Sequence, residues 1–376
     1  VLCLCEGGSS HFCSRRVCLG RRFLLLILVG ADHKSCSSAM LARVVARGVR
    51  TCTAGGARHL HGSTLGFVGL GKIGSGMVGN LTAAGAKVVV FDPHAEALTS
   101  AVHACGATAA TSAADVARQA RVVLTAVPND AVLRSVTEEL LPALAARGDQ
   151  PVHVSCSTVA PLTARALFEA HALQGVGYVS APVFARPDGM RRAEATIPMS
   201  GPAWAKDLAR PVLENTSQGV HDFGEDAGSA NVVKLGGNFL IAAAIEALAE
   251  ASALAESHGV DREQFVGLMS STIFDCLIYR GYGHRVAARD HHPHPDAHFA
   301  LDLGSKDVAL VYEAAAAVGC PMPVASLLRD RFVAAQNAGR GKLDWSAVAL
   351  RASEDAGSKQ VGPALAELLA GLEAKR

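Results

Sequence analysis

Short apolar runs alternate with longer amphipathic stretches between Thr64 and about residue 225. The apolar runs are rich in β-branched residues and are bounded by turn residues, so each of them predicts a strand. In chain order they read TLGFVG, KVVVF, RVVLTAV, VHVSC, VGYVSAP and ATIPMSG. The stretches between them are long enough for helices. Because strands that alternate with helices pair in parallel, this pattern predicts a doubly wound sheet with helices on both faces.

The pattern changes after residue 225, where no further strand is predicted. From Ala227, alanine and leucine recur at helical spacing until His258 and Gly259, which form a typical helix stop. Shorter helical patterns follow: DREQFVGLMSS, GSKDVALVYEAAAAVG, VASLLRDRFVAAQNAG and DWSAVALRASEDA. We therefore predict an α/β domain over residues 64–225 and an all-helical domain over residues 226–376, joined by one long helix. No internal repeat and no transmembrane span are predicted.

Residues 1–63 differ from both predicted domains. The run RRFLLLILVGA resembles the core of a signal peptide but is too short to span a bilayer comfortably. From Met40 to Thr64 the sequence contains four arginines and no acid, which is typical of an organelle transit peptide. We expect this leader to be cleaved or disordered and the mature protein to lie in an organelle matrix, off the membrane, with the mitochondrion favoured over the plastid. If the leader is instead translated upstream sequence, the protein would be cytoplasmic.

Composition and charge narrow the possible functions. Half of the 376 residues are hydrophobic, which allows a large core and more than one domain. The formal charge is +1, whereas a nucleic-acid-binding surface needs a basic excess. We therefore expect a small-molecule substrate and no nucleic acid. The cysteines of the two domains are scattered singly, so we expect them to be reduced and mostly buried.

One loop in the α/β domain has glycines at an informative spacing. The segment GFVGLGKIGSGM places a G-x-G-x-x-G pattern directly after the first predicted strand and at the start of a helix. The first glycine permits a tight turn, the second lets the backbone approach a pyrophosphate, and the third lets the helix pack closely on the strand. We therefore predict a Rossmann-type fold whose cofactor-binding loop consists of Gly69, Leu70, Gly71, Lys72, Ile73 and Gly74.

An acid follows the second predicted strand, in the segment VVVFDPH. Asp92 stands at about the spacing from the glycines at which a carboxylate accepts hydrogen bonds from the adenine ribose. A 2′-phosphate there would face a carboxylate and no neighbouring arginine. We therefore expect NAD to be preferred, with NADP as the alternative. The other interpretation is a tight glycine turn and an aspartate that only caps a helix.

The long helix opens with the segment NVVKLGGN, which places one lysine, two glycines and an asparagine in an otherwise apolar pattern. A buried, unpaired ammonium costs several kcal/mol, and each glycine costs roughly 1 kcal/mol of helix propensity. We interpret Lys234 and Asn238 as functional, and Gly236 and Gly237 as room for another segment or a cofactor to approach the helix. The alternative is a lysine that reaches water from an apolar helix face.

These segments together resemble the β-hydroxyacid dehydrogenase family, which includes 3-hydroxyisobutyrate dehydrogenase and shares the NAD(P)-binding domain of 6-phosphogluconate dehydrogenase. The likeness extends over roughly residues 64–355. TAVPND resembles the family's Leu-Pro loop, with Val127 in place of leucine before Pro128. CSTVAP resembles its Ser-Thr-x-x-Pro segment, KLGGN its Lys-x-x-x-Asn motif, and LGSKD its late Lys-Asp pair.

The resemblance implies roles for these segments. Lys234 would be the catalytic lysine and Asn238 would help hold the substrate oxygen; residues four apart share one face of a helix, so both can converge on one atom. Ser157 and Thr158 would lie near the nicotinamide ribose, with Val127 and Pro128 also beside the cofactor. Lys306 would reach the nicotinamide end of the cofactor; the alternative is an ordinary surface lysine. The family also implies a homodimer or homotetramer that associates through helical segments.

The substrate loop departs from the family pattern. Where the family has Asp-Ala-Pro-Val-Ser-Gly-Gly, this chain has SAPVFARPDG, with Phe184 at the serine position and Arg186 at the second glycine. Arg186 would grip a substrate carboxylate, or Phe184 would line a site for a bulkier apolar carbonyl compound. A third interpretation is a Phe184 buried in the core and an Arg186 paired with Asp188 at the surface. We assign Ser157, Phe184 and Arg186 to substrate binding.

The histidine-rich run DHHPHPDAHF suggests a metal site at first sight. Metal binding needs a fixed geometry, however, and the two prolines break any helix that would align the ligands. We predict a solvated loop and no metal.

Two functional hypotheses remain. The first is an NAD-dependent oxidoreductase that interconverts a hydroxyl and a carbonyl on a small 3-hydroxy-acid-like metabolite, with Lys234 as the proton donor or acceptor. The second is a catalytically inactive dinucleotide-binding module that uses its altered loop for protein interaction. An imine-reducing enzyme is disfavoured, because those relatives usually lack the lysine.

Overall fold

The computed structural model describes residues 60–292 and 299–358, together with Gly362, Ala366 and Gly371. Nearly all of the predicted leader and most of the histidine-rich run therefore lie outside the described residues. The compact unit that contains the described residues extends from Gly56 to Arg376. A domain boundary near residue 225 stays a prediction.

Six parallel strands form the central sheet. They are β1 (Thr64–Val68), β2 (Lys87–Phe91), β3 (Thr108–Ala109), β4 (Val122–Thr125), β5 (Val152–Ser155) and β6 (Gly177–Ser180). The strand order is β3-β2-β1-β4-β5-β6, and each neighbouring pair is parallel. This is the order of a doubly wound nucleotide-binding sheet, so the predicted fold class is confirmed.

Helices cover both faces of this sheet. They are α1 (Lys72–Ala83), α2 (Ala95–Cys105), α3 (Ala113–Gln119), α4 (Asp130–Ala145), α5 (Pro161–Ala172), α6 (Pro187–Arg191) and α7 (Ala203–Glu214). Successive strand side chains point to opposite faces. Val88 and Val90 of β2 accordingly join one apolar cluster, with Met77 of α1, whereas Val89 joins another, with Val116 of α3. Continuous burial on two faces explains why these strands read as unbroken apolar runs.

A second, two-stranded parallel sheet follows the first. It pairs β7 (Ala195–Met199) with β8 (Ser217–Asp222), and α7 connects the two strands. The sequence predicted β7 but not β8. The β8 segment, SQGVHD, is largely polar and has no fully buried residue, so it lacks the apolar pattern that marks the other strands.

The second half of the chain is helical. It contains α8 (Ser229–Ser257), α9 (Arg262–Ser271), α10 (Leu277–Ala288), α11 (Leu301–Ala317), α12 (Pro323–Asn337), a 3₁₀ helix (Trp345–Ala349) and α13 (Leu350–Asp355). The α10 helix was not predicted, and the last predicted helix divides into the 3₁₀ helix and α13. The core of this half contains Leu248 of α8, Phe332 of α12 and Trp345.

Helix α8 connects the two halves. Near its start, the amide of Ala230 donates to Oγ of Ser200 after β7, and further along Ile245 and Ala249 lie in the core of the helical half. Its length and apolar composition would also suffice to cross a membrane, and 44% of its most apolar window is buried within the protein. Packing within the core accounts for that composition.

Two expectations about individual side chains were wrong. Of the four cysteines in the described residues only Cys156 is buried, since Cys276 and Cys320 are exposed and Cys105 is partly exposed. His291, at the start of the histidine-rich run, is not solvated: it is buried, and its Nδ1 lies 2.9 Å from Oγ of Ser346. Burial and four nearby arginines lower the pKa of His291 to about 3, so it is neutral. Among the described residues no group of three or more acidic, histidine or cysteine side chains could hold a metal.

Candidate active site

The strand order reverses at β1 and β4, and the carboxyl ends of these two strands border the crevice that is expected of a doubly wound sheet. The chain leaves these adjacent strands in opposite directions, and ligands of doubly wound sheets bind at this switch point. The predicted glycine loop follows β1, and Val127 and Pro128 follow β4. The fold therefore brings these predicted cofactor-binding segments together at one edge of the sheet.

The three glycines of the loop meet different requirements. Gly69 has a φ of +95°, and a Cβ there would lie 2.4 Å from the carbonyl oxygen of Ala126. A Cβ at Gly74 would lie 2.0 Å from the carbonyl oxygen of Gly69. At Gly71, by contrast, a Cβ would meet no protein atom within 4 Å. Folding therefore demands glycine at positions 69 and 74 but not at 71, where the free space suits a pyrophosphate against the backbone.

Asp92 is buried at the end of β2 and faces the glycine loop. Its carboxylate accepts hydrogen bonds from the amide of Leu70 at 2.7 Å and from the amide of His94 at 2.8 Å. Burial alone would raise the pKa of Asp92, but the hydrogen bonds outweigh it and hold the pKa below its usual value. His94, not Asp92, is the N-cap of α2. Since the Leu70 amide is committed to Asp92, the amides of Gly71, Lys72 and Ile73 are those left to face a phosphate.

The loops after β4 and β5 are joined by a buried serine. The amide of Val127 donates to Oγ of Ser157 at 2.9 Å. The next residue, Thr158, accepts a hydrogen bond at its carbonyl oxygen from Nζ of Lys306 on α11, at 2.8 Å. Lys306 therefore ties the helical half to the crevice edge, as an ordinary surface lysine would not.

Lys234 and Asn238 lie on the face of α8 that is turned inward. Nζ of Lys234 donates to Oδ1 of Asn238 at 3.1 Å, and Nδ2 of Asn238 donates to Oδ2 of Asp307 at 2.5 Å. The ammonium of Lys306 lies 2.9 Å from Oδ1 of Asp307. A continuous polar chain thus runs from Lys234 through Asn238 and Asp307 to Lys306 and Thr158. Asp307 was absent from the predicted site residues, although the Lys-Asp pair pointed to it.

The environment of Lys234 makes its amine a weaker base. Burial, the largest effect, lowers the pKa of Lys234 to about 8; the Asp307 carboxylate opposes this shift and the Lys306 charge adds to it. An amine with this pKa is mostly protonated at neutral pH yet gives up its proton readily. It can therefore act as a general acid in one direction and as a general base in the other.

The altered substrate loop borders this lysine. The ring centroid of Phe184 lies 4.3 Å from Nζ of Lys234. The guanidinium of Arg186 lies against Gly281 of α10, with its central carbon 5.8 Å from the ring centroid of Tyr282. The third interpretation of this loop therefore does not describe the structure: Phe184 is partly exposed at the crevice, and Asp188 pairs with Arg192 instead.

The segment is fastened to both halves of the chain. The amide of Phe184 donates to the carbonyl oxygen of Thr196 in β7 at 2.9 Å, and the Thr196 amide returns the bond at 3.0 Å. Its side chains reach the other way, where the Phe184 ring contacts Gly237 of α8 and Arg186 contacts Gly281. The loop therefore bridges β7 and helices α8 and α10.

Two protein-family models together match almost all of the described chain. Residues 64–232 match the NAD-binding domain of 6-phosphogluconate dehydrogenase, and residues 228–351 match a domain described as the NAD-binding domain of NADP-dependent 3-hydroxyisobutyrate dehydrogenase. Both descriptions specify a nicotinamide dinucleotide cofactor, in agreement with the glycine loop and Asp92.

Individual relatives agree with this result. The chain is 34% identical over 284 residues to an uncharacterized oxidoreductase, YfjR, of Bacillus subtilis, covering 75% of this chain and 96% of the relative. It is 31% identical over 287 residues to 3-hydroxyisobutyrate dehydrogenase of Pseudomonas aeruginosa, with the same two coverages. The solved structure of Mycobacterium tuberculosis 3-hydroxyisobutyrate dehydrogenase with L-serine superposes with a TM-score of 0.69 at 28% identity, covering 77% of this chain and 98% of that one. The chain belongs to the β-hydroxyacid dehydrogenase family of nicotinamide-dependent oxidoreductases, as its motifs predicted.

Proposed function

We propose that this protein is an NAD-dependent dehydrogenase or reductase that interconverts the hydroxyl and carbonyl of a small 3-hydroxy acid, with Lys234 as the proton donor or acceptor. The observation that carries the proposal is the polar chain in which buried Lys234, Asn238 and Asp307 lead to the partly exposed Lys306. This chain holds a readily titrated amine beside the crevice that the glycine loop borders. An inactive module would gain nothing from burying this lysine, so that alternative is not favoured.

The residues divide the chemistry as follows. A bound nicotinamide would supply or accept the hydride at the carbinol carbon. On reduction, Lys234 donates a proton to the oxygen as negative charge develops there; on oxidation, the neutral amine removes the hydroxyl proton. Asn238 donates one N–H to Asp307 and has a second N–H for the substrate oxygen. Asp307 orients the amide and favours the charged form of Lys234.

The preference for NAD rests on Asp92. Its carboxylate oxygens already accept two backbone amides and keep further lone pairs for the adenine ribose hydroxyls. A 2′-phosphate in the same place would meet an ionised, buried carboxylate. Hydrogen bonds to the ribose hydroxyls therefore favour NAD, and repulsion of the 2′-phosphate disfavours NADP.

Replacing Asp92 with arginine is expected to raise the kcat/KM ratio of NADP to NAD at least roughly tenfold, the equivalent of about 1.4 kcal/mol. Titration of both cofactors and steady-state rates would measure the ratio. Glu96→Arg makes the same charge change in the first turn of α2 and should leave the ratio nearly unchanged. An Asp92→Arg ratio equal to that of the wild type would remove the basis for the NAD assignment.

We infer that the substrate carries a carboxylate and that Arg186 binds it. Among the described residues its guanidinium has no hydrogen bond or ion pair and is only packed against Gly281 and Tyr282. A planar guanidinium that makes no hydrogen bond within the described residues, two positions along the loop from Phe184, can bind a carboxylate through two parallel hydrogen bonds. The names of the relatives also specify acids, 3-hydroxyisobutyrate and L-serine.

A panel of 3-hydroxy acids and the corresponding aldehyde acids, followed by nicotinamide absorbance, tests the proposed activity. With the best substrate, Arg186→Ala should raise KM by roughly 10- to 100-fold, since hydrogen bonds to charged groups contribute about 1.5–3 kcal/mol. The KM for the methyl ester of that substrate should rise far less in the same variant. Arg192→Ala, which removes a nearby surface arginine, is the control. Equal losses for acid and ester would exclude Arg186 as the carboxylate ligand, and no turnover on any acid would favour the inactive module.

Assembly and location are the coarsest parts of the proposal. Large apolar side chains are exposed on the helices of the second half, among them Leu240 of α8 and Leu327 of α12. Their exposure supports a homodimer or homotetramer that associates through helical segments. The mitochondrial matrix, in preference to a plastid, is proposed from the arginine-rich, acid-free composition of residues 40–64 alone.

A further inference from the structure

The ring of Phe184 packs against Gly237, where the helix has no side chain. A Cβ at position 237 would lie 2.5 Å from two carbons of the Phe184 ring, so glycine is required there while the ring is in place. The preceding residue, Gly236, is exposed, and a Cβ there would meet nothing within 4 Å. Two adjacent helical glycines therefore differ in one respect: only Gly237 makes room for the ring.

The seated ring determines what surrounds the ammonium of Lys234. The centroid of the Phe184 ring lies 4.3 Å from Nζ of Lys234, which is a cation–π distance. The ring has no oxygen or nitrogen atom that could accept a hydrogen bond from the ammonium. On another side Nζ donates to Oδ1 of Asn238. The charged groups that face the ammonium are Asp307 and Lys306, both on α11. With one N–H committed to Asn238 and one side closed by the ring, one N–H remains for a reacting oxygen.

We propose that Phe184, held in place by Gly237, is a positioning residue for Lys234: its ring keeps water from one side of the ammonium and directs the remaining N–H to the substrate oxygen. This inference rests on the proposed role of Lys234. It assigns a purpose to the replacement of the family's serine by phenylalanine. It also explains why glycine stands at 237 within a helix, where alanine would otherwise be more stable.

A double-mutant cycle tests the coupling between the two residues. Gly237→Ala should lower kcat by about 10- to 100-fold, because a shift of about 1 Å in a positioned group has effects of this size. In the Phe184→Ser background the added methyl has room, so Gly237→Ala should change kcat by less than about threefold. Gly267→Ala on α9, where a Cβ would meet nothing within 4 Å, is the control and should keep wild-type kcat. If Gly237→Ala behaves like Gly267→Ala, or costs the same in both backgrounds, the proposal is wrong.

A second measurement does not depend on turnover. An amine-reactive acylating reagent labels Lys234 only when its amine is neutral. The labelling rate, measured by peptide mass spectrometry across pH, therefore reports the titration of the amine in the cofactor-free protein. Phe184→Ser admits water beside the ammonium, and hydration of a charge outweighs one ring contact, so the midpoint should rise towards that of an ordinary lysine. Phe184→Leu keeps the site dry and should leave the midpoint within about half a unit of the wild type.

The outcomes separate the two proposals. A midpoint that stays or falls in Phe184→Ser overturns the positioning role, whatever the activity. If the midpoint rises in Phe184→Ser but the wild-type protein turns over none of the acids, the result supports the contact between Phe184 and Lys234 and rejects the proposed function. A rise together with coupled losses of kcat supports both.

Discussion

Replacing Lys234 with alanine is expected to lower kcat by about a thousandfold, within the range that a positioned general acid–base contributes. The methyl group leaves no proton donor near the developing alkoxide, and Asn238 then faces a cavity. The dissociation constant for NAD should change little, because the glycine loop and Asp92 follow strands β1 and β2 in the other half of the chain. Nicotinamide absorbance measures the rate, and calorimetric titration measures cofactor binding.

Two variants control this experiment. Lys234→Arg keeps a cation but cannot give up its proton near neutral pH, so it should be nearly as inactive as the alanine variant. Lys87→Ala removes an exposed lysine from β2 and should have wild-type activity. A Lys234→Ala variant that keeps more than a tenth of the wild-type kcat would contradict the proposed mechanism.

The lowered pKa of Lys234 also sets the direction of the pH dependence. Oxidation needs the neutral amine, so its kcat/KM should rise with pH through about 8 in the wild type. Reduction needs the ammonium, so its kcat/KM should fall over the same interval. Neither the rise in kcat/KM for oxidation nor the fall for reduction should occur in Lys234→Ala.

Gly69→Ala is expected to unfold the protein at a markedly lower temperature, whereas Gly71→Ala should weaken NAD binding without changing the unfolding temperature. Alanine at 69 must accept a positive φ and a 2.4 Å contact with the Ala126 oxygen, which should cost more than about 2 kcal/mol. Alanine at 71 meets no protein atom. Its methyl group would instead occupy the space left for a pyrophosphate, and we expect roughly a hundredfold loss of affinity, about 2.7 kcal/mol.

Thermal unfolding and calorimetric titration distinguish the two effects. Gly79→Ala, on α1, is the matched control, since its Cβ would lie at an ordinary 3.6 Å from Sγ of Cys105. It should preserve both stability and affinity. Wild-type affinity in Gly71→Ala would mean that the cofactor does not approach the backbone at this loop.

Most of the fold could be predicted because its signals are local. Strands buried on both faces read as apolar runs, and α8 reads as a long alanine-rich helix. The elements that were missed lack such signals. Strand β3 has only two residues, both exposed, and β8 is polar. Helix α10, LIYRGYGHRVAA, contains two glycines and mixes polar and apolar residues around its circumference, so it resembles a loop in sequence.

The site divides in the same way. Lys234 and Asn238 could be paired from the sequence because four residues of helix separate them. The fit of Phe184 to Gly237 and of Arg186 to Gly281 depends on how the loop after β6 meets two distant helices, and no periodicity reports it. Glycines inside helices were the usable clue. At Gly236 and Gly237 the sequence predicted the approach of another segment or the cofactor, without identifying Phe184 as the segment at Gly237.

The loop around Phe184 has a mechanical consequence. Its main chain is bonded to β7 while its side chains are seated in notches of α8 and α10. Separating the two halves along this edge would break two main-chain hydrogen bonds or extract a ring from its socket. These contacts therefore oppose any separation of β7 from α8 and α10 along this edge.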